Sequence, residues 1–214
     1  MIETFNQRLD AIAESIRISF TEKDAAREKA LPLSREAIRH CSLSIRAIHR
    51  QQFDEAETEL NKAKALIEEA ETSINACDEL ANTSFFRDAQ KEYAEGRVTL
   101  AVITGKAVPK PEELAVDSAA YLNGVGEVVG ELRRYVLDGL RRGDMSRAEE
   151  LLSVMDAIYE VLVTMDFPDA ITGNLRRTTD MVRGILERTR SDLTLSLQQK
   201  RLEDRLGGLN ERLD

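Results

Sequence analysis

The chain has 214 residues, enough for one sizeable hydrophobic core, and its four prolines, 5% aromatic content and lack of Trp favour long helices over sheets. A formal charge of −9 excludes indiscriminate polyanion binding unless basic residues gather on one face. Only two cysteines are present, Cys41 and Cys77, both at apolar helical positions, which excludes a disulfide framework or a paired-thiol metal site and fits a reducing, cytoplasmic setting.

The first expected helix carries Ile2, Phe5, Leu9, Ile12 and Ile16 at three- and four-residue steps. A second stripe runs through Leu31, Ser34, Ile38, Cys41, Ile45 and Ile48, with Pro32 either kinking this helix or marking its first turn. Phe53, Ala56, Leu60, Ala63, Ile67, Ala70, Ile74, Cys77 and Ala81 keep a seven-residue period with small residues on one edge, which predicts close packing against a neighbour. Asn82, Thr83 and Ser84 offer caps for a helix from about Phe85 to Thr104, where Gly105 suits a left-handed terminus.

A loop from Lys106 to Pro111 follows, after which Glu112 and Asp117 can start a helix bearing Tyr121, Val125, Val128, Leu132, Val136 and Leu140. Gly143 stops it, and Asp144 is the expected cap of a helix with Leu151, Leu152, Met155, Ile158, Leu162 and Met165. The Phe167-Pro168-Asp169 break precedes a last helix from about Leu175, which carries Val182, Ile185, Leu186, Thr189 and Leu193. Its charged tail holds Leu202, Leu206, Leu209 and Leu213, interrupted by Gly207-Gly208, and is expected to fray or serve assembly. The reading is all-α with about six to seven helices, divided into a helical domain over 1–196 and a charged helical extension over 197–214. No stretch approaches the roughly 20 apolar residues a bilayer span needs, and no basic-then-apolar leader opens the chain, so no membrane partner is expected.

Asp88, Glu92 and Glu95 fall at i, i+4 and i+7 and point within one narrow helical sector. Glu127 and Glu131 stand one turn apart on the helix after the proline loop, among Gly124, Gly126 and Gly130, where another helix can approach closely. Clustered carboxylates repel unless a cation neutralises them, and hard divalent ions want several oxygen ligands at once. Four glutamates on two facing helices would hold such ions for phosphodiester cleavage, as two-metal nucleases do. In a chain with 32% charged residues, paired glutamates at this spacing also serve as solvated faces making local ion pairs. Glu127 nonetheless lies within an apolar stretch, between Tyr121 and Val129, where a solvated carboxylate is less expected. The G-V-G-E-V-V-G run is not a dinucleotide fingerprint, since its third glycine is displaced and no strand precedes it.

Arg35, Arg39, Ser42, Arg46, His49 and Arg50 occupy a sector roughly 100° wide beside the apolar stripe of their helix. Such a ridge can track phosphates through guanidinium forks, or pair with glutamates of an adjacent helix. His40 and His49 are the only histidines, and no Glu-x-x-His pair occurs, which removes a ferritin-like di-iron bundle. No Gly-x-Ser-x-Gly elbow supports a serine hydrolase, and both cysteines read as core fillers.

L-P-L-S-R-E-A-I-R-H-C-S-L-S-I-R-A-I-H-R, from Leu31 to Arg50, resembles the first block of the translin and translin-associated factor X family. K-E-Y-A-E, from Lys91 to Glu95, is similar to its Glu-Tyr-x-Glu element, and Y-L-N-G-V-G-E-V-V-G-E-L-R-R-Y, from Tyr121 to Tyr135, to its most recognisable helix. The resemblance covers most of the chain to about Ser196. It implies an all-α fold of about seven helices in a hollow, octamer-like homo-oligomer that encloses nucleic acid. It further implies metal-dependent endoribonuclease chemistry with Mg²⁺ or Mn²⁺ on Glu92, Glu95, Glu127 and Glu131, Glu127 standing where the family often has Asp. Arg35, Arg39, Arg46 and His49 or Arg50 would face RNA, single-stranded or duplex with single-stranded regions, or single-stranded DNA. The rival expectations are a barrel that binds nucleic acid without cleaving it and a helical scaffold that touches none.

Overall fold

The structure, a computed structural model, describes residues 2–75, 80 and 83–210. Among them are eight helices and no strand: α1 (Ile2–His49), α2 (Phe53–Ile74), α3 (Ser84–Thr104), α4 (Pro111–Leu114), α5 (Ser118–Arg141), α6 (Ala148–Val163), α7 (Asp169–Thr172) and α8 (Leu175–Asn210). The expected positions Cys77, Ala81, Asn82 and Leu213 lie outside the described residues. The all-α reading stands, with six long helices and two single turns in place of six to seven. The chain forms two compact units, Met1–Gly96 and Arg97–Asp214, and the division falls inside α3.

In the first unit, the two helices expected around Pro32 are one helix of 48 residues with Pro32 inside it. Proline removes one amide donor from the helical ladder and crowds the carbonyl four residues back. Here the ladder runs through, and the Ser34 hydroxyl donates to the Ala30 carbonyl at 2.9 Å. The turn into α2 is tight: the Gln51 and Gln52 amides donate to the Ile48 and Ala47 carbonyls, and Gln51 takes φ 60. Ala56, Leu60, Ala63, Ile67, Ala70 and Ile74 are all buried on α2, which is the seven-residue stripe read from the sequence. Alanine alternating with a larger side chain lets α2 pack closely on α1 from Ala30 onward. Between them the His40 Nδ1 and Glu59 Oε2 stand 2.5 Å apart, and Lys62 closes on Glu59 at 2.6 Å. A Cβ built at Gly96 would meet Leu60 Cδ2 at 2.7 Å, so α3 also lies close to α2 at that turn.

In the second unit α5, α6 and α8 pack on one another around Val128, Leu132, Leu151, Met155, Leu162, Val182 and Leu186. Asp117 caps α5, accepting from the Ala119 and Ala120 amides at 3.0 and 3.1 Å. Asp144 does not cap α6 as expected. Its carboxylate takes the amide and hydroxyl of Ser146 in the preceding turn, and α6 starts after Arg147. Arg147 instead donates to the Ile103 and Val102 carbonyls, tying the end of α3 to the start of α6. Pro168 precedes the single turn α7, after which Gly173 and Asn174 turn the chain with positive φ into α8. Gly207 and Gly208 do not interrupt α8, which is continuous to Asn210.

Candidate metal centre and basic face

The acidic residues singled out from the sequence lie on α3 and α5. On α3, Tyr93, Ala94, Gly96 and Val98 are buried, and because they spread around the helix at 100° per residue, α3 is enclosed on most of its circumference at this level. Glu95 is itself buried at 8% exposure, Glu92 is half-buried, and Asp88 is exposed. On α5, Glu127 and Glu131 are half-buried beside the fully buried Val128, Val129 and Leu132.

The rotation of α5 is set by a polar clasp that the sequence did not announce. Asn123 is buried, and its amide nitrogen donates to the Ala119 and Thr172 carbonyls, both at 2.8 Å. Its carbonyl oxygen accepts from the Thr178 hydroxyl at 2.6 Å. One turn on, a Cβ built at Gly126 would stand 2.3 Å from Thr178 Cγ2, so α8 approaches α5 as closely as the glycines led one to expect. Gly130 does not share this role, because its nearest neighbour, Ile185 Cδ1, would be 4.0 Å away. The loop before α5 is pinned by the Tyr121 hydroxyl, which donates to the Pro109 carbonyl at 2.7 Å. Burial and the nearby Glu112 and Glu113 carboxylates push that phenol above its ordinary value.

Glu92 and the buried Glu95 stand about one turn apart on α3 in the first unit, and Glu127 and Glu131 stand about one turn apart on α5 in the second. Glu131 has Arg134 at 4.0 Å. Lys91 lies 3.5 Å from Glu92. All four glutamates present carboxylates, the oxygen donors that hard divalent cations take.

The basic residues divide by exposure. Arg35, Arg39, Ser42, Arg46 and Arg50 are exposed along α1 and just past its end, whereas His49 is half-buried. Arg39 pairs with Glu36 of its own helix at 2.8 Å, and the guanidinium holds that carboxyl below its ordinary value. The Ser42 hydroxyl donates to the Ile38 carbonyl at 3.1 Å.

Against solved structures, the chain superposes on AfC3PO of Archaeoglobus fulgidus with a TM-score of 0.76 at 38% identity, covering 87% of this chain and 97% of that one. A structure of AfC3PO in complex with duplex RNA matches with a TM-score of 0.77 at the same identity and coverage. The chain belongs to the translin family. A Neurospora member of the translin family, apo-NeC3PO, shares the fold at 20% identity with a TM-score of 0.74, over 88% of this chain and 96% of that one. Among curated sequences, an uncharacterised protein of Methanocaldococcus jannaschii is 32% identical over 186 residues, 86% of this chain and 82% of its own length. No family model matches the sequence. Among the described residues of this translin-family chain, no helix is long and apolar enough to cross a membrane.

Proposed function

We propose that the protein is a homo-oligomeric, Mg²⁺- or Mn²⁺-dependent endoribonuclease acting on single-stranded or gapped RNA. The observation that carries this reading is the carboxylate pair on α3, Glu92 and the buried Glu95, which would share a cation with the half-buried Glu127 of α5. Carboxylates gathered at one site repel in the absence of a cation. Glu131 would complete the set from the next turn of α5. A divalent cation held there supplies Lewis-acid chemistry to a phosphodiester. The chain's own part is to hold the carboxylates in place, through the hydrogen bond from Thr178 of α8 to Asn123 of α5 and through the burial of α3 around Glu95. Arg35, Arg39, Arg46 and Arg50, with His49 behind them, would grip phosphates along one strand. Likeness to a protein whose structure includes duplex RNA supports nucleic acid as the ligand and an assembly of translin type, of which an octamer is the expected size.

A second reading, binding without cleavage of RNA or single-stranded DNA, is favoured by one feature. Lys91 at 3.5 Å from Glu92 and Arg134 at 4.0 Å from Glu131 give the carboxylates cations of the protein's own. The deciding experiment follows a labelled single-stranded RNA with Mg²⁺, with Mn²⁺ and with chelator. Cleavage that needs metal and disappears in Glu127→Ala supports the nuclease. RNA binding that ignores metal, with no turnover in the unaltered chain, establishes the second reading instead.

A further inference from the structure

The apolar stripe of α1 has two halves with different surroundings. From Ala30 to Ile48 its positions are buried in the hairpin with α2, whereas no described side chain from 3 to 29 is buried. The stripe does not stop there. Phe5, Leu9, Ile12 and Ile16 are 65%, 51%, 50% and 47% exposed, and the same steps of four and three lead on through Ser19, Lys23 and Ala26 to Ala30. A single additional four-residue step crosses Pro32, a stutter in an otherwise seven-residue repeat. The sequence thus writes one helix–helix seam along all of α1, and α2 covers only its later half. An apolar seam of this length on a free helix is a docking surface for another helix.

We propose that residues 5–23 of α1 pair antiparallel with the same segment of a second copy of this chain, centred near residue 14. This rests on the homo-oligomer in the reading above and adds to it the surface, direction and register. With that centre, Ile12 faces Ile16 of the second copy, Leu9 faces Ser19, and Phe5 faces Lys23, each pair forming one layer of a two-helix seam. Charge selects the direction. A parallel pair in register would bring Lys23 against Lys23 inside the seam, two like charges taken from water. The antiparallel pair sets each Lys23 stem against Phe5 at the edge of the overlap, where the ammonium reaches water and the ring face. The flanking positions agree, because the same register brings Arg8 opposite Glu22 of the second copy, both exposed within this chain. Ala13 meets Ala13 at the centre, allowing close approach. The overlap is roughly 28 Å long at 1.5 Å per residue.

The test uses the full chain with Cys77→Ser and Cys41 left in place, since Cys41 is buried. Ser15→Cys, next to the centre, should give a covalent dimer with a short bis-maleimide. Leu9→Cys alone should not, yet a mixture of Leu9→Cys and Ser19→Cys chains should. Glu22→Lys should lower the Ser15→Cys yield several-fold at low salt, and adding Arg8→Glu should restore it. Cross-linking of Leu9→Cys by itself as efficient as that of Ser15→Cys would overturn the antiparallel register. A particle of several subunits with no Ser15→Cys dimer sinks this interface and spares the assembly, whereas a monomeric mass sinks both.

Discussion

The Thr178 hydroxyl of α8 donates a 2.6 Å hydrogen bond to the side-chain carbonyl of Asn123 on α5, four residues before Glu127. The same Asn123 side chain also serves the Thr172 carbonyl, so a single amide joins α5, α7 and α8. Replacing it with Ala leaves the buried Thr172 carbonyl and the half-buried Thr178 hydroxyl without their partner, at a cost of about 1–3 kcal/mol. In a protein of this size each kcal/mol shifts the melting point by about 2–4 °C. Thermal unfolding of Asn123→Ala should therefore fall by several degrees. A melting point equal to that of the unaltered chain would show that the clasp contributes nothing net.

Gly126 answers to the same contact from the other side. An added methyl would stand 2.3 Å from Thr178 Cγ2 and 3.4 Å from Leu162 Cδ1. Alanine is ordinarily better than glycine within a helix by about 0.5–1 kcal/mol, but overpacking costs about 1–3 kcal/mol. Gly126→Ala should be net destabilising. Thr178→Ser removes the offending methyl and keeps the hydroxyl for Asn123, so the double variant should recover most of the loss. Strict additivity of the two changes in denaturant midpoints would refute the account.

Much of this arrangement was legible beforehand, and the exceptions have physical causes. The α2 stripe is buried at six of its expected positions because its period matches one helix face. Gly126 signalled a close helix because its lack of a side chain is a local fact. Asn123 gave no signal, since its two distant partners lie 49 and 55 residues away and a lone Asn on a helix is locally neutral. Pro32 misled in the opposite sense: proline weakens a helix by a few kcal/mol, and packing of α1 against α2 from Ala30 onward outweighs that local penalty. Asp144 looked like a cap because Asp favours caps and turns alike, and the Ser146 amide took its carboxylate first.

Acid should loosen the α1–α2 hairpin through Glu59. Hydrogen bonds from Lys62, then from His40, hold its carboxyl below its ordinary value of 4.5. A carboxyl whose folded pKa is depressed contributes stability that is complete above the unfolded value and is lost as pH falls through the folded one. The hairpin should thus weaken below about pH 4.5, with no such contribution to lose between pH 5 and 8. Melting points of the unaltered chain and of Glu59→Gln, taken from pH 7 down to pH 3.5, should converge in acid. Curves that run parallel throughout would remove Glu59 from the acid response.

The arginine ridge makes a quantitative demand on RNA binding. Arg35, Arg39, Arg46 and Arg50 are all exposed, and successive spacings of four, seven and four residues set them along about 22 Å of one face. Each arginine that neutralises a phosphate of a single strand releases a counterion and adds roughly 0.7 to the slope of log affinity against log salt. Single Ala substitutions should weaken binding to unrelated sequences about equally, because phosphate contacts carry no base information. Each should also flatten the slope by nearly the same increment. Arg39 should give the smallest change, since Glu36 at 2.8 Å already offsets part of its charge and must be released before a phosphate is gripped. The check is a salt titration of RNA affinity for the four single variants and the quadruple one. A quadruple variant with an unchanged slope would move the phosphate contacts off this face, whatever happens to its affinity at one salt concentration.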